Sequence, residues 1–157
     1  MNTSAEQRLR ELGITLPAPP TPLGAYVEAV QVGNLLYLSG TLPVEGGVPK
    51  FQGRIGEELS IEDGRSATRL AALNALALAR GHLGSLDKVT RVVRLTVSLA
   101  TAPEFRDHPK VADAASELLA NVFGADKTST RMVSGVASLP VGVCVVVEII
   151  LSVDTNV

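Results

Sequence analysis

The run from Cys144 to Val153, with Val143 before it, constrains this chain most, because the strand it predicts is apolar on both faces. Val143, Val145, Val147 and Ile149 alternate with Cys144, Val146 and Ile150, and Glu148 alone interrupts the second set. A strand with one wet face alternates apolar and polar residues; a strand dressed like this one is covered on both sides. Helices of the same chain can supply one cover. Another subunit supplies the other, so the chain reads as an obligate oligomer.

The elements upstream are punctuated by proline and glycine. Ala5 to Leu12 predicts a short helix capped by Ser4 and stopped at Gly13. Pro17, Pro19, Pro20 and Pro22 then impose an extended, polyproline-like lead-in that cannot be helical. Tyr26 to Val32 and Leu35 to Ser39 read as strands joined by a tight turn at Gly33-Asn34. Gly46-Gly47 and Gly53 to Gly56 mark a loop. Glu62 to His82 predicts a helix filled mostly with Ala and Leu, which lets one side lie close to a sheet, and it ends near Gly81 and Gly84. Lys88 to Leu99 alternates as a half-buried strand, with Val93, Leu95, Val97 and Leu99 on one face and Arg94, Thr96 and Ser98 on the other. Pro109 to Phe123 carries a helical stripe of Val111, Ala114, Ala115, Leu118, Leu119 and Val122, closed by Gly124. Arg131 to Ala137 is one more strand, joined to the last by Leu139-Pro140-Val141-Gly142.

The order strand, strand, helix, strand, helix, strand, strand predicts an α+β fold: a mixed sheet with two main helices on one face, oligomerising through the other. Residues 1–157 form one domain, of which 1–23 are the short helix and proline-rich lead-in. With 46% apolar and 19% charged residues the chain has enough to bury a core. A net charge of −2, two Tyr, three Phe and no Trp offer nucleic acid neither a basic surface nor stacking platforms. The lone Cys144 excludes an internal disulfide and fits a reducing compartment. The first residues resemble no signal peptide, and no run approaches the ~18 apolar residues of a membrane helix. The expectation is a cytoplasmic protein without membrane or nucleic-acid partners.

Few residues suggest chemistry. Arg131 stands at the head of Ser129–Pro140, keeps its charge near neutral pH, and has a planar fork suited to gripping a carboxylate through two parallel bonds. Glu148 sits in an otherwise apolar strand, where it is either a functional acid or half of a structural pair with Arg94 or a neighbour's Arg131. Cys144 reads as a small buried apolar residue. His82 and His108 have no carboxylate or cysteine spacing of a metal site around them, and neither a Ser-His-Asp order nor a phosphate-cradling glycine loop stands out.

Taken together, Gly24-Ala25-Tyr26-Val27, the stretch Val32 to Pro43 with its Ser39-Gly40-x-x-Pro43 element, and Arg131 nine residues before Pro140 resemble the RidA/YjgF family, also labelled L-PSP endoribonucleases or translation inhibitors. The resemblance spans roughly Gly24 to Val153. The lead-in and the helix stretch Leu70 to Ala75 resemble its longer, YjgF/chorismate-mutase-like branch. It implies a chorismate-mutase-like fold in a homotrimer, with ligand clefts between subunits. It also implies cofactor-free hydrolysis of 2-imino acids to 2-oxo acids and ammonia. In that reading Arg131 and Glu148 are the catalytic positions, and Tyr26, Ser39, Gly40 and Arg131 bind the substrate. No cofactor and no metal are implied.

One position departs from the family pattern. Its final strand usually reads Glu-x-Glu, the first glutamate orienting the attacking water; counted from Pro140, that place is Val146, and Glu148 matches the second, more structural glutamate. A valine cannot polarise water. A two-residue gap would restore Glu148 as the water-holder. Two readings follow: an imine deaminase, or a non-catalytic metabolite-binding or regulatory trimer that keeps the arginine. An endoribonuclease is disfavoured by charge and scarce aromatics. A chorismate mutase would want several cations in its pocket, where the sequence guarantees one.

Overall fold

A computed structural model describes residues 3–155, and every structural statement below concerns those residues. The expected order of elements is present. β1 (Ala29–Val32), β2 (Leu35–Leu38), β5 (Val89–Ala100), β6 (Thr130–Val136) and β7 (Val145–Val153) form one mixed sheet ordered β1-β2-β7-β5-β6. All neighbours are antiparallel except β5 and β6, which run parallel because the helix α3 (His108–Phe123) carries the chain back between them. The most apolar strand, β7, sits at the centre.

The helices form where the caps and stripes place them. Helix α1 (Ala5–Glu11) starts at Ser4, whose hydroxyl accepts from the Gln7 N–H, and it lies against α3. Helix α2 (Ile61–Leu83) opens with a reciprocal box, Ser60 bonding the Asp63 N–H and Asp63 bonding the Ser60 N–H. It closes on the left-handed Gly84. Ala67, Ala71, Ala72, Ala75 and Ala79 are fully buried on α2, so short side chains let its backbone approach β7 and α3. On α3 the whole predicted stripe is buried. No helix among the described residues is long and apolar enough to cross a membrane.

Three details correct the sequence reading. Strand β1 begins at Ala29, whereas Tyr26 lies in a bend: its N–H donates to the Gly24 carbonyl, and its Oη accepts from the Leu23 N–H at 3.1 Å. The early part of β5 is irregular, with register shifts against β7 between Val89 and Arg91 and between Val92 and Arg94. An extra residue flips the alternation, so Val92 enters the core while Val93 is only half-buried. The glycine-marked loop contains a small hairpin, β3 (Val44–Glu45) with β4 (Val48–Pro49). Both turn residues, Gly46 and Gly47, have positive φ, as a turn matched to the strand twist requires.

Register assigns each residue to a face. Leu36, Leu95, Val97, Leu99, Val147, Ile149 and Leu151 face the helices and are at most 1% exposed. The intervening residues form cross-strand rows on the opposite face: Val30, Tyr37, Ile150, Arg94 and Thr130 in one, Glu148, Thr96 and Met132 in the next, then Val146, Ser98 and Ser134. Among the described residues no helix lies on those rows, and Val30, Tyr37 and Met132 are 47%, 44% and 53% exposed.

Candidate functional site

Arg131 and Glu148 lie on opposite faces of the sheet. Arg131 pairs in register with Leu95, on the helix side of the edge strand β6. Its Nη1 donates to Asp113 Oδ1 at 2.6 Å and to Ser116 Oγ at 3.2 Å, two α3 residues one turn apart. Both contacts use Nη1. Among the described residues no partner holds Nη2 or Nε, the pair of donors that grips a carboxylate side-on. Arg131 is therefore a cation fixed by one corner, with its charge partly offset by Asp113.

Glu148 is exposed and pairs with Thr96 on the uncovered face. It makes no ion pair with Arg94, which flanks it diagonally on the same face. Val146 precedes it on that face and touches the turn after β2: a Cβ placed on Gly40 would come within 2.8 Å of a Val146 methyl. No larger residue fits at position 40 while Val146 keeps its place. Gly40 offers its backbone instead, since its N–H makes no hydrogen bond among the described residues. The Gly40 turn, Val146 and Glu148 are thus neighbours, and Arg131 stands apart on the far edge strand.

Tyr26, Ser39 and Gly40 are brought together. All three line a cavity of about 330 Å³ between the lead-in, the residues after β2 and the buried side of α2. The Ser39 hydroxyl donates to the Val27 carbonyl at 2.7 Å, so toward a ligand it can only accept while that bond stands. Tyr26 Oη already accepts from Leu23, which leaves its own hydrogen to donate. Two lining residues escaped the sequence reading. Thr41 donates to the Ala71 carbonyl at 2.8 Å and tethers the turn to α2. Asn74, 1% exposed, holds the Leu42 and Val44 carbonyls at 2.9 Å each. The available signal was a lone amide within the Ala- and Leu-rich face of α2.

The remaining candidates are structural. Cys144 is buried, and burial first, with a lesser contribution from the Asp63 charge, pushes its thiol from 9.0 up to about 11, so it is an inert apolar side chain at neutral pH. His82 touches Gln31, and His108 stacks edge-on against Phe105. Among the described residues no group of three or more His, Cys, Asp and Glu could hold a metal ion.

Known proteins share this architecture. The family model described as "YjgF/chorismate_mutase-like, putative endoribonuclease" matches residues 6–152. Protein TCP17 of Trypanosoma cruzi is 37% identical, over 93% of this chain and 92% of its own. A 2-iminobutanoate/2-iminopropanoate deaminase of Dermatophagoides farinae is 29% identical, over 90% of this chain and 95% of its own. A Shewanella oneidensis crystal structure, described in the same endoribonuclease terms, superposes with a TM-score of 0.92 at 31% identity and covers 96% of this chain and 100% of that one.

Proposed function

The chain belongs to the YjgF/chorismate mutase-like family, and from that premise we propose that it is a cytoplasmic homotrimer binding small 2-oxo or 2-imino carboxylates between subunits. The observation that carries the reading is Arg131, anchored through Nη1 alone with its carboxylate-gripping side left open. Anchoring removes much of the entropy cost of ordering a long side chain at the moment of binding. Asp113 does not cancel the site, because it is 49% exposed and its charge is screened by water.

Assembly answers the separation of the candidate residues. With Arg131 on an edge strand and the Gly40 turn at the other side of the sheet, one subunit would supply the arginine and the next the open Gly40 N–H, Tyr26 and Glu148. The uncovered rows of the sheet supply the apolar surface that such an assembly buries. No cofactor enters this scheme.

Imine hydrolysis is a second reading, favoured by the exposed, unpaired Glu148 on the same face as Val146, about 7 Å along the strand. Water would add to the C=N carbon, giving its proton to the carboxylate. The carbinolamine, whose nitrogen already holds the proton of the iminium form, then breaks its C–N bond. The carboxylate gives its proton to the nitrogen, which leaves as ammonia, and the hydroxyl proton passes to solvent as the 2-oxo acid forms. The D. farinae relative is described as a deaminase of this kind. Against it, Val146, counted without a gap from Pro140, takes the place that the family resemblance gives to the water-orienting carboxylate.

Ammonia release from 2-iminopropanoate generated in place separates the readings. If Val146 blocks hydrolysis, the wild type is slow and Val146→Glu raises turnover by at most about 10²-fold. If Glu148 is the base, the wild type is already fast and Glu148→Gln abolishes release. A slow wild type unmoved by either change leaves a binding protein. Loss of pyruvate binding in Arg131→Ala is required in all three cases.

A further inference from the structure

The cavity beside Tyr26 and Ser39 is built for something other than a carboxylate. Its lining contains no lysine and no arginine, and its polar members include Glu28 and Asn74. The orientation of the Asn74 amide follows from its partners. The Leu42 and Val44 carbonyls can only accept, so the nitrogen must face them and Oδ1 must point the other way. Oδ1 has no donor among the described residues, and none of their side-chain oxygens is both sealed and unpaired, so this one keeps a small accessible area at a residue that lines the cavity. A polar group held this deeply and left unpaired is costly unless something fills its valence.

The remaining walls are stiff and apolar. Pro17, Pro20 and Pro22 of the lead-in line the cavity together with Leu42, Val44 and Leu78. Prolines lose little further freedom when a ligand arrives, so the space is formed before binding. Its volume of about 330 Å³ falls at the lower end of the range for small-molecule pockets and far exceeds a methyl or ethyl group.

We infer that this cavity is a side-chain subsite for an apolar ring carrying one neutral hydrogen-bond donor, an N–H or O–H, that bonds Asn74 Oδ1. Joined to the proposed carboxylate site, on which this extension rests, it directs the protein toward aromatic 2-oxo or 2-imino acids rather than two- or three-carbon ones. The cavity itself is tested without a carboxylate. Because the chain has no Trp, the fluorescence of an indole probe is read against a dark background.

The measurement titrates the protein with 3-methylindole and with 1,3-dimethylindole, which keeps the ring and loses the donor. Saturable, blue-shifted binding of the first, at least about fivefold tighter than the second, is expected. Asn74→Leu should bring the two to equal affinity. That variant deprives two carbonyls of their donor and can fail to fold, but the comparison of the two probes on wild type stands without it. No saturable binding, or equal binding of the two probes to wild type, overturns the inference. Pyruvate and indole-3-pyruvate on Arg131→Ala keep the two claims apart. If pyruvate binding depends on Arg131 while neither indole binds, the subsite fails alone. If the donor preference holds while neither 2-oxo acid responds to Arg131, the subsite stands and the carboxylate reading fails.

Discussion

The two faces of one sheet are made from alternate residues of the same strands, yet they have opposite fates. Toward the helices, Leu95, Val97, Val147 and Ile149 are sealed to 1% exposure or less. One residue further along each strand, Thr96, Ser98 and Val146 are only half-buried among the described residues and Glu148 is exposed. The first face specifies the fold of a single subunit. The second mixes apolar residues with Arg94, Thr96 and Glu148, a composition suited to an interface that also encloses a polar ligand. Period-two alternation lets one stretch of sequence serve both ends, provided the register never slips.

That division predicts a ranking of mutational effects. Leu95→Ala opens a hole in a fully sealed layer and should cost about 2–5 kcal/mol in denaturant unfolding. A loss of only a few tenths would mean that the helix face is not the rigid one. Ile150→Asp, on the opposite face, should leave the far-UV spectrum intact but reduce the mass by light scattering to that of the 16.4 kDa subunit. A wild type that already scatters as a monomer would break the comparison outright.

Arg131→Ala belongs to neither extreme. It should weaken 2-oxo acid binding roughly 10- to 100-fold through loss of charge-assisted contacts. It should change stability by less than about 1 kcal/mol, because the Asp113 pair is partly in water. Unchanged binding with a large drop in melting temperature would make the arginine a strut between β6 and α3.

The smallest effect is a pH dependence confined to the helix layer. Burial alone would push the Glu6 carboxyl up, but bonds from the Arg80 guanidinium and the Leu86 N–H outweigh it, and the Arg80 and Arg10 charges add to them, holding it below 4.5. A depressed carboxylate lends stability that is present above its unfolded pKa and is lost as pH falls through its folded one. The urea midpoint should therefore fall more steeply below about pH 4.5 in wild type than in Glu6→Gln. Parallel curves would remove Glu6 from the account.

The strongly periodic elements were legible in sequence because each advertises its own burial. The α3 stripe and the α2 stretch appear as read, and β7 buries one of its two faces within the subunit. The local exceptions were hidden for reasons of geometry. Strands of two residues, as in β3 and β4, carry no period, and the β5 irregularity shifts alternation without changing composition. The site was legible only in part. Arg131 and Met132 are both plausible on either face, and only the register with β5, together with Asp113 on another element, decides between them. The cavity depends on Asn74 meeting Leu42 and Val44, some thirty residues earlier in the chain. No local pattern encodes a meeting at that range.

The position of β7 has a consequence for how the protein comes into being. It lies between β2 and β5, yet a ribosome makes it after every other strand. Until then β2 and β5 have no common partner, and each presents a bare edge to the crowded cell. The Thr41–Val147 contact that helps seat β7 closes a loop of 106 residues, an entropic delay that local helix formation cannot shorten. A nascent chain is therefore most exposed to mispairing in the interval after β5 and β6 are made and before β7 emerges. A stop codon just before Val145 would remove the centre of the sheet while leaving its other described strands in place, a product for proteolysis rather than a smaller working subunit.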